Sequence, residues 1–176
     1  MQQEIELAKA SFDFGFLLSP IAIIFSAITA GTIAINLSQR QKSVELLQNI
    51  KSDKRIDSGL ATLRKIHNDS GIEIECYAYA ERADSKEAVR IRYILNTFEQ
   101  MASGISDSVY DENIIKRSKY TTVINTYKRS KKFIDKVQES QPTAYQELTS
   151  LAKRWESKPL KKRGKVESLL RALKII

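Results

Sequence analysis

The chain is poor in the residues that small domains use to staple, turn or ligate. Among 176 residues there is one cysteine, Cys76, and one histidine, His67. A lone thiol closes no internal disulfide and a lone imidazole builds no cluster of imidazole ligands, so disulfide scaffolds and thiol-and-imidazole metal sites are excluded. Six glycines and three prolines leave too little turn chemistry for an all-β sandwich, and they rule out collagen-like or low-complexity sequence. The expectation is an all-α fold.

Recognisable catalytic punctuation is missing too. No G-x-x-x-x-G-K-[ST] phosphate loop, G-x-S-x-G elbow, H-E-x-x-H pair or G-x-G-x-x-G turn occurs. His67, beside a turn, reads as a surface residue or helix-end cation, and Cys76 as a small buried hydrophobe. Glu73 and Glu75 lie two apart and would point to different faces of a helix, so they form no evident acid pair. The Glu-x-x-His signature of di-metal helical bundles is absent as well. The sequence therefore predicts no catalytic, cofactor-binding or metal-binding residues, no cofactor, and a protein that is not an enzyme.

Charge is missing from one long stretch. Between Asp13 and Arg40 no side chain is ionised, and these 26 residues, Phe14 to Gln39, centre on Leu17-Leu18-Ser19-Pro20-Ile21-Ala22-Ile23-Ile24-Phe25-Ser26-Ala27-Ile28. As a helix they would extend about 39 Å, against roughly 30 Å of bilayer hydrocarbon. A proline near one end is tolerated in such a helix. A cleaved signal peptide would have a basic start and a shorter apolar run, whereas residues 1–13 carry Glu4, Glu6 and Asp13 against Lys9; Ser26-Ala27-Ile28-Thr29-Ala30 does resemble a cut site. A buried core helix would need protein on every side, more than the charged remainder supplies. A transmembrane helix over 14–39 is the reading that fits. One basic residue precedes it, and five fall in residues 40–60: Arg40, Lys42, Lys51, Lys54 and Arg55. The basic side stays in the cytoplasm. Residues 1–13 are thus expected outside a bacterial inner membrane and the rest inside, where a reduced Cys76 is at home. Ser26, Ala30 and Ala34 recur at intervals of four, as do Ala27 and Gly31, and small residues so spaced let two helices approach closely. The lipid bilayer and a second copy, or another protein, are the expected partners.

Beyond the span, Val44, Leu47, Ile50, Ile56, Leu60, Leu63 and Ile66 mark one face of an amphipathic helix. A stalk helix over 40–68, continuous with the span and weakest at Gly59, is predicted. A cytosolic helical domain follows over 72–157. Within it Ile72–Tyr79 alternates apolar and polar like a strand, but a solitary strand would lack a partner, so helix is preferred. Asp84-Ser85-Lys86-Glu87 offers a reciprocal cap to a helix with Ala88, Ile91, Ile94, Leu95, Phe98, Met101, Ala102 and Ile105 on one face. Asp111, Glu112 and Asn113 open a long helix that is basic outside. Ser140-Gln141-Pro142 begins the last helix, whose stripe is Tyr145, Leu148, Leu151 and Trp155, and Pro159 ends it.

Outside residues 1–39 there are 28 basic and 18 acidic side chains, a formal charge of +10. Lys116-Arg117-Ser118-Lys119 and Lys128-Arg129-Ser130-Lys131-Lys132 line the long helix. In the segment 158–176, Lys158, Lys161, Lys162, Arg163 and Lys165 precede Leu169, Leu170, Leu173, Ile175 and Ile176. A basic strip beside an apolar one suits an anionic membrane surface, and equally a helix docked on the bundle. Nucleic acid is the second reading of the same charge, but no binding motif frames it.

The order Tyr93-Ile94-Leu95-Asn96-Thr97-Phe98-Glu99-Gln100-Met101-Ala102-Ser103-Gly104-Ile105, then Tyr110-Asp111-Glu112 and Trp155, resembles a bacterial family catalogued as domain of unknown function four-seven-six-zero. Its members have one N-terminal membrane helix, an Arg shortly after it, and an L-N-x-x-E…G-I…D-E core; Arg40, Asn96, Glu99, Gly104, Asp111 and Glu112 match. The resemblance covers residues 20–156. It implies a helical cytosolic domain with no assigned catalysis, cofactor or substrate, and it does not extend to the Lys-rich tail. Asn96 and Glu99, three apart on one helix face, read as bonds to a neighbouring helix or its exposed amides, with a ligand or partner site as the other reading. The function expected is that of a single-pass membrane protein displaying a basic helical domain for protein or self-association. By architecture alone it resembles the small membrane proteins of phage defence or superinfection exclusion.

Overall fold

The computed structural model describes the backbone of residues 2–69, 71 and 73–160, with side chains from Ala22 onward. The fold is all-α: α1 (Gln2–Ser52), α2 (Lys54–Asn68), α3 (Lys86–Ser106), α4 (Glu112–Gln138) and α5 (Gln146–Ser157), with two 3-10 turns at Ile74–Ala78 and Ala80–Arg82. α1 has 51 residues, about 76 Å at 1.5 Å per residue. It carries Pro20 without interruption.

The stalk helix expected over 40–68 is parts of two helices. Asp53 leaves helical geometry (φ −82°, ψ 102°), and its carboxylate accepts the Arg55 backbone N–H, as an N-cap does. Beyond that break α2 is no stalk. It lies along α3 and buries Ile56, Thr62, Leu63 and Ile66. Gly59, a weak point by sequence, lies tight against α3. A β-carbon there would stand 2.9 Å from the Arg90 carbonyl oxygen and 3.1 Å from Ile94 Cβ. The glycine is spent on close approach, which offsets its cost to the helix.

Residues 74–82 adopt 3-10 turns rather than strand or α-helix, and the first packs on α4 through Ile74 and Tyr77. The cap of α3 is Ser85, whose Oγ accepts the Ala88 N–H, one residue later than the Asp84–Glu87 pairing suggests. α5 starts at Gln146, not at Pro142, because residues 142–145 are turns that end with Tyr145 in the left-handed region (φ 57°).

The core is the meeting of these stripes. The eight stripe positions of α3 are buried, while Val89 on its other side is exposed, and they meet Ile115, Val123, Phe133 and Ile134 of α4 and Leu148, Leu151 and Trp155 of α5. Each fully buried Val, Leu, Ile, Phe or Met among them contributes about 1.5–3 kcal/mol. Four hydroxyl-bearing residues sit inside, Ser43, Thr62, Thr126 and Ser130. Ser130 Oγ donates to the Thr126 carbonyl of its own helix at 2.7 Å, so it costs the core little.

Candidate functional site

α1 divides near Gln39. In Ala22–Leu37 every side chain is exposed, with Ile23, Ile24, Phe25, Ile28, Ile33 and Ile35 each about 60–70% uncovered. The hydroxyls of this stretch turn inward on the helix itself: Ser26 donates to the Ile23 carbonyl, Thr29 to Phe25 and Thr32 to Ile28, at 2.8–2.9 Å. Internal satisfaction of this kind is what a hydrocarbon solvent demands. The helix is long and apolar enough to cross a membrane. Ser26, Ala27, Ala30, Gly31 and Ala34 are all exposed, and space around Gly31 is open to at least 4 Å.

From Gln39 onward the same helix is gripped. Gln39 Nε2 donates to the Ser108 carbonyl (2.6 Å), and buried Ser43 Oγ donates to the Gln39 carbonyl (2.7 Å) while accepting the Asp111 N–H (2.8 Å). The Arg40 guanidinium stands 3.8 Å from the Asp111 carboxylate. Ile50 is buried farther along. At about 100° per residue, Gln39, Ser43 and Ile50 share one side of α1, and the centre of the small-residue face lies about 170° away. The bundle therefore leaves that face clear.

The family-like core residues serve as latches between helices. Glu99 on α3 accepts the N–H groups of Glu147 (3.1 Å) and Leu148 (2.7 Å), capping α5 from outside because left-handed Tyr145 supplies no side-chain cap. Asp111 caps α4 by accepting from Asn113 and Ile114. Glu112 accepts from Trp155 Nε1 (2.7 Å) and is paired with Arg154 at 3.2 Å, tying α4 to α5. Gly104 lies beneath the Tyr110 ring, where a β-carbon would be 2.6 Å from Cδ2. Its carbonyl accepts the N–H of Val109 and Tyr110. Asn96 is different. It is exposed and, with Arg92, Glu99, Gln141 and Tyr145, lines an open cleft of about 550 Å³. Arg92 is held there by the Ala83 carbonyl at 2.7 Å, and burial pushes the Tyr145 phenol up.

The basic residues are more neutralised than their spacing suggests. Lys128 pairs with Glu156 (3.0 Å), Lys131 with Asp135 (2.7 Å), Lys132 with Glu73 (3.9 Å) and Lys136 with Glu139. Exposed pairs add little stability, about 0–1 kcal/mol each, but they remove a continuous positive stripe. Arg40, Lys42 and Lys158 are exposed. Lys161, Lys162, Arg163 and Lys165 lie outside the described residues, as does most of the segment 158–176.

Two expectations need correction, and one further residue has a role. Glu73 and Glu75 do meet: Glu73 is extended, just ahead of the 3-10 turn that holds Glu75, and a hydrogen bond with Glu73 pushes the Glu75 carboxyl up. Cys76 is half-buried rather than enclosed, and its Sγ accepts from Arg82 Nη1 at 3.2 Å. Asp53 had no role in the sequence reading, yet its carboxylate receives both Arg55 and the Tyr93 hydroxyl, and these bonds, Arg55 first, hold it down to about 2. Its signal was present as an Asx residue ahead of a fresh apolar period.

No curated protein and no solved structure matches this chain. A family model, Domain of unknown function (DUF4760), matches residues 17–155, a range that opens within α1 and closes on Trp155, so it takes in every latch described above. The chain belongs to that family.

Proposed function

We propose that this is a non-enzymatic, single-pass inner-membrane protein, N-terminus outside, that presents a basic helical domain on the cytosolic face for self-association or for binding another protein. One observation carries the proposal: α1 passes without a break from an uncovered, uncharged stretch into the grip of the bundle, and the bundle grips the side opposite the small residues. Two copies could pack along Ala27, Gly31 and Ala34 with their domains on the outer flanks. The orientation follows from the basic residues after the span. Phage defence or superinfection exclusion is the proposed setting, on architecture alone.

The test is crosslinking of the intact protein in its own membrane. A dimer, or one stoichiometric partner, retained after alkaline carbonate washing supports the reading. Full-length protein that stays folded and monodisperse in the supernatant without detergent refutes the anchor. The nucleic-acid reading draws on the same basic surface, and four ion-paired lysines of α4 weaken it. Duplex binding that falls steeply with salt, with no protein partner recovered, would restore it.

A further inference from the structure

We propose that the turn between α3 and α4, Asp107–Tyr110, is the body's contact with lipid headgroups. The inference rests on the reading of α1 as a membrane anchor and goes beyond it. The uncharged stretch of α1, about 39 Å long, exceeds the roughly 30 Å of hydrocarbon by several residues, so its last one, Gln39, falls in the headgroup layer. Gln39 is the residue that holds the turn, through the Ser108 carbonyl at 2.6 Å, and Ser43, one helical turn on, holds Asp111 at 2.8 Å. Height above the bilayer is thereby fixed by residue count along one unbroken helix.

The turn is built to keep its shape there. Asp107 N–H donates to Ser103, Ser108 N–H to Ile105, and the N–H groups of Val109 and Tyr110 both to Gly104, while Ser108 takes the left-handed region (φ 57°). What it shows outward is Val109, 37% exposed, between the exposed Asp107 and Ser108 and the half-buried Tyr110. A small apolar tip next to a half-buried tyrosine suits the interface, and the carboxylate of Asp107 keeps the contact shallow. Cations gather at the same end: Arg40 and Lys42 on α1, and Lys116, whose ammonium bonds the Lys158 carbonyl at 2.6 Å about 7 Å along α4 from Asp111.

The experiment uses full-length protein with Cys76→Ser, reconstituted in phosphatidylcholine–phosphatidylglycerol vesicles and labelled with an environment-sensitive fluorophore at Val109→Cys, Ile28→Cys or Glu139→Cys. The expected result is a blue-shifted Val109 label quenched by headgroup nitroxide lipid, an Ile28 label quenched by acyl-chain nitroxide, and a Glu139 label quenched by neither. A quenched Ile28 site with a Val109 site as aqueous as Glu139 overturns the proposal and leaves the anchor standing. A blue-shifted Val109 label that no lipid quenches means that protein covers the turn, and overturns it as well. An Ile28 label that no lipid nitroxide reaches removes the anchor and the proposal together.

Discussion

The two halves of α1 obey the same helical geometry and face opposite demands. From Ala22 to Leu37 its apolar side chains are uncovered on all sides and its hydroxyls bond to their own helix; after Gln39 its outer positions, Val44 apart, are polar or charged and its inner ones, Ser43 and Ile50, are buried. One half needs a solvent that is apolar everywhere. The other needs a protein on one flank and water on the rest. The difference teaches that hydropathy averaged over an element hides its function, because the boundary within the element is where the bundle is held.

That contrast can be broken most severely from the bundle side. Trp155→Ala should lower the stability of the body by about 3–5 kcal/mol, by opening a cavity and stranding Glu112, as read by denaturant unfolding of full-length protein in detergent. The membrane-bound fraction should be unchanged. Gly59→Val should cost about 1–3 kcal/mol through overpacking against Arg90 and Ile94; unaltered unfolding would mean that α2 and α3 are looser than described. Glu99→Ala should cost about 1–2 kcal/mol through loss of the cap on α5, with Glu99→Gln recovering part of it. Hydrogen exchange at Glu147 and Leu148 would rise in the first and less in the second.

Acid should act on the hinge of the comparison. Asp53 is held near 2, against 3.8 for the free carboxyl, chiefly by Arg55 and then by Tyr93. A lowered carboxylate contributes stability that is complete above about pH 4 and disappears as the pH falls toward 2. Asp53→Asn should therefore flatten that part of the acid unfolding profile, and an identical profile in the variant would remove Asp53 from the account. The smallest effect on the body is expected from Gly31→Leu, which should leave unfolding unchanged and weaken any dimer seen by sedimentation in detergent. Sedimentation that does not change would take the small-residue face out of the argument.

Much of this was legible in the sequence, and for identifiable reasons. The α3 stripe was read residue for residue, since 3.6-residue periodicity survives wherever one helix face is buried. So was the cap at Asp111, whose side chain acts locally. What escaped is what depends on a third element. Gly59 looks like weakness until α3 is placed against it, and α5 begins late because Tyr145 turns left-handed; Glu99 reads from the sequence as bonding exposed amides of a neighbouring helix, and only its partner, 48 positions on at Glu147, is hidden. The Asn96 cleft carries no pattern of its own, being made by the loop before α5 as it folds over α3.

The unbroken backbone from the apolar stretch through Ser43 has a mechanical consequence. Without a swivel at that point, adding a single residue between Ala34 and Gln39 would advance the whole body by about 1.5 Å and spin it by about 100°, as a screw thread couples travel to rotation. Insertions should be absorbed without such coupling at the loop of residues 139–145. Any torque applied to the buried end of α1 would reach the distal helices directly.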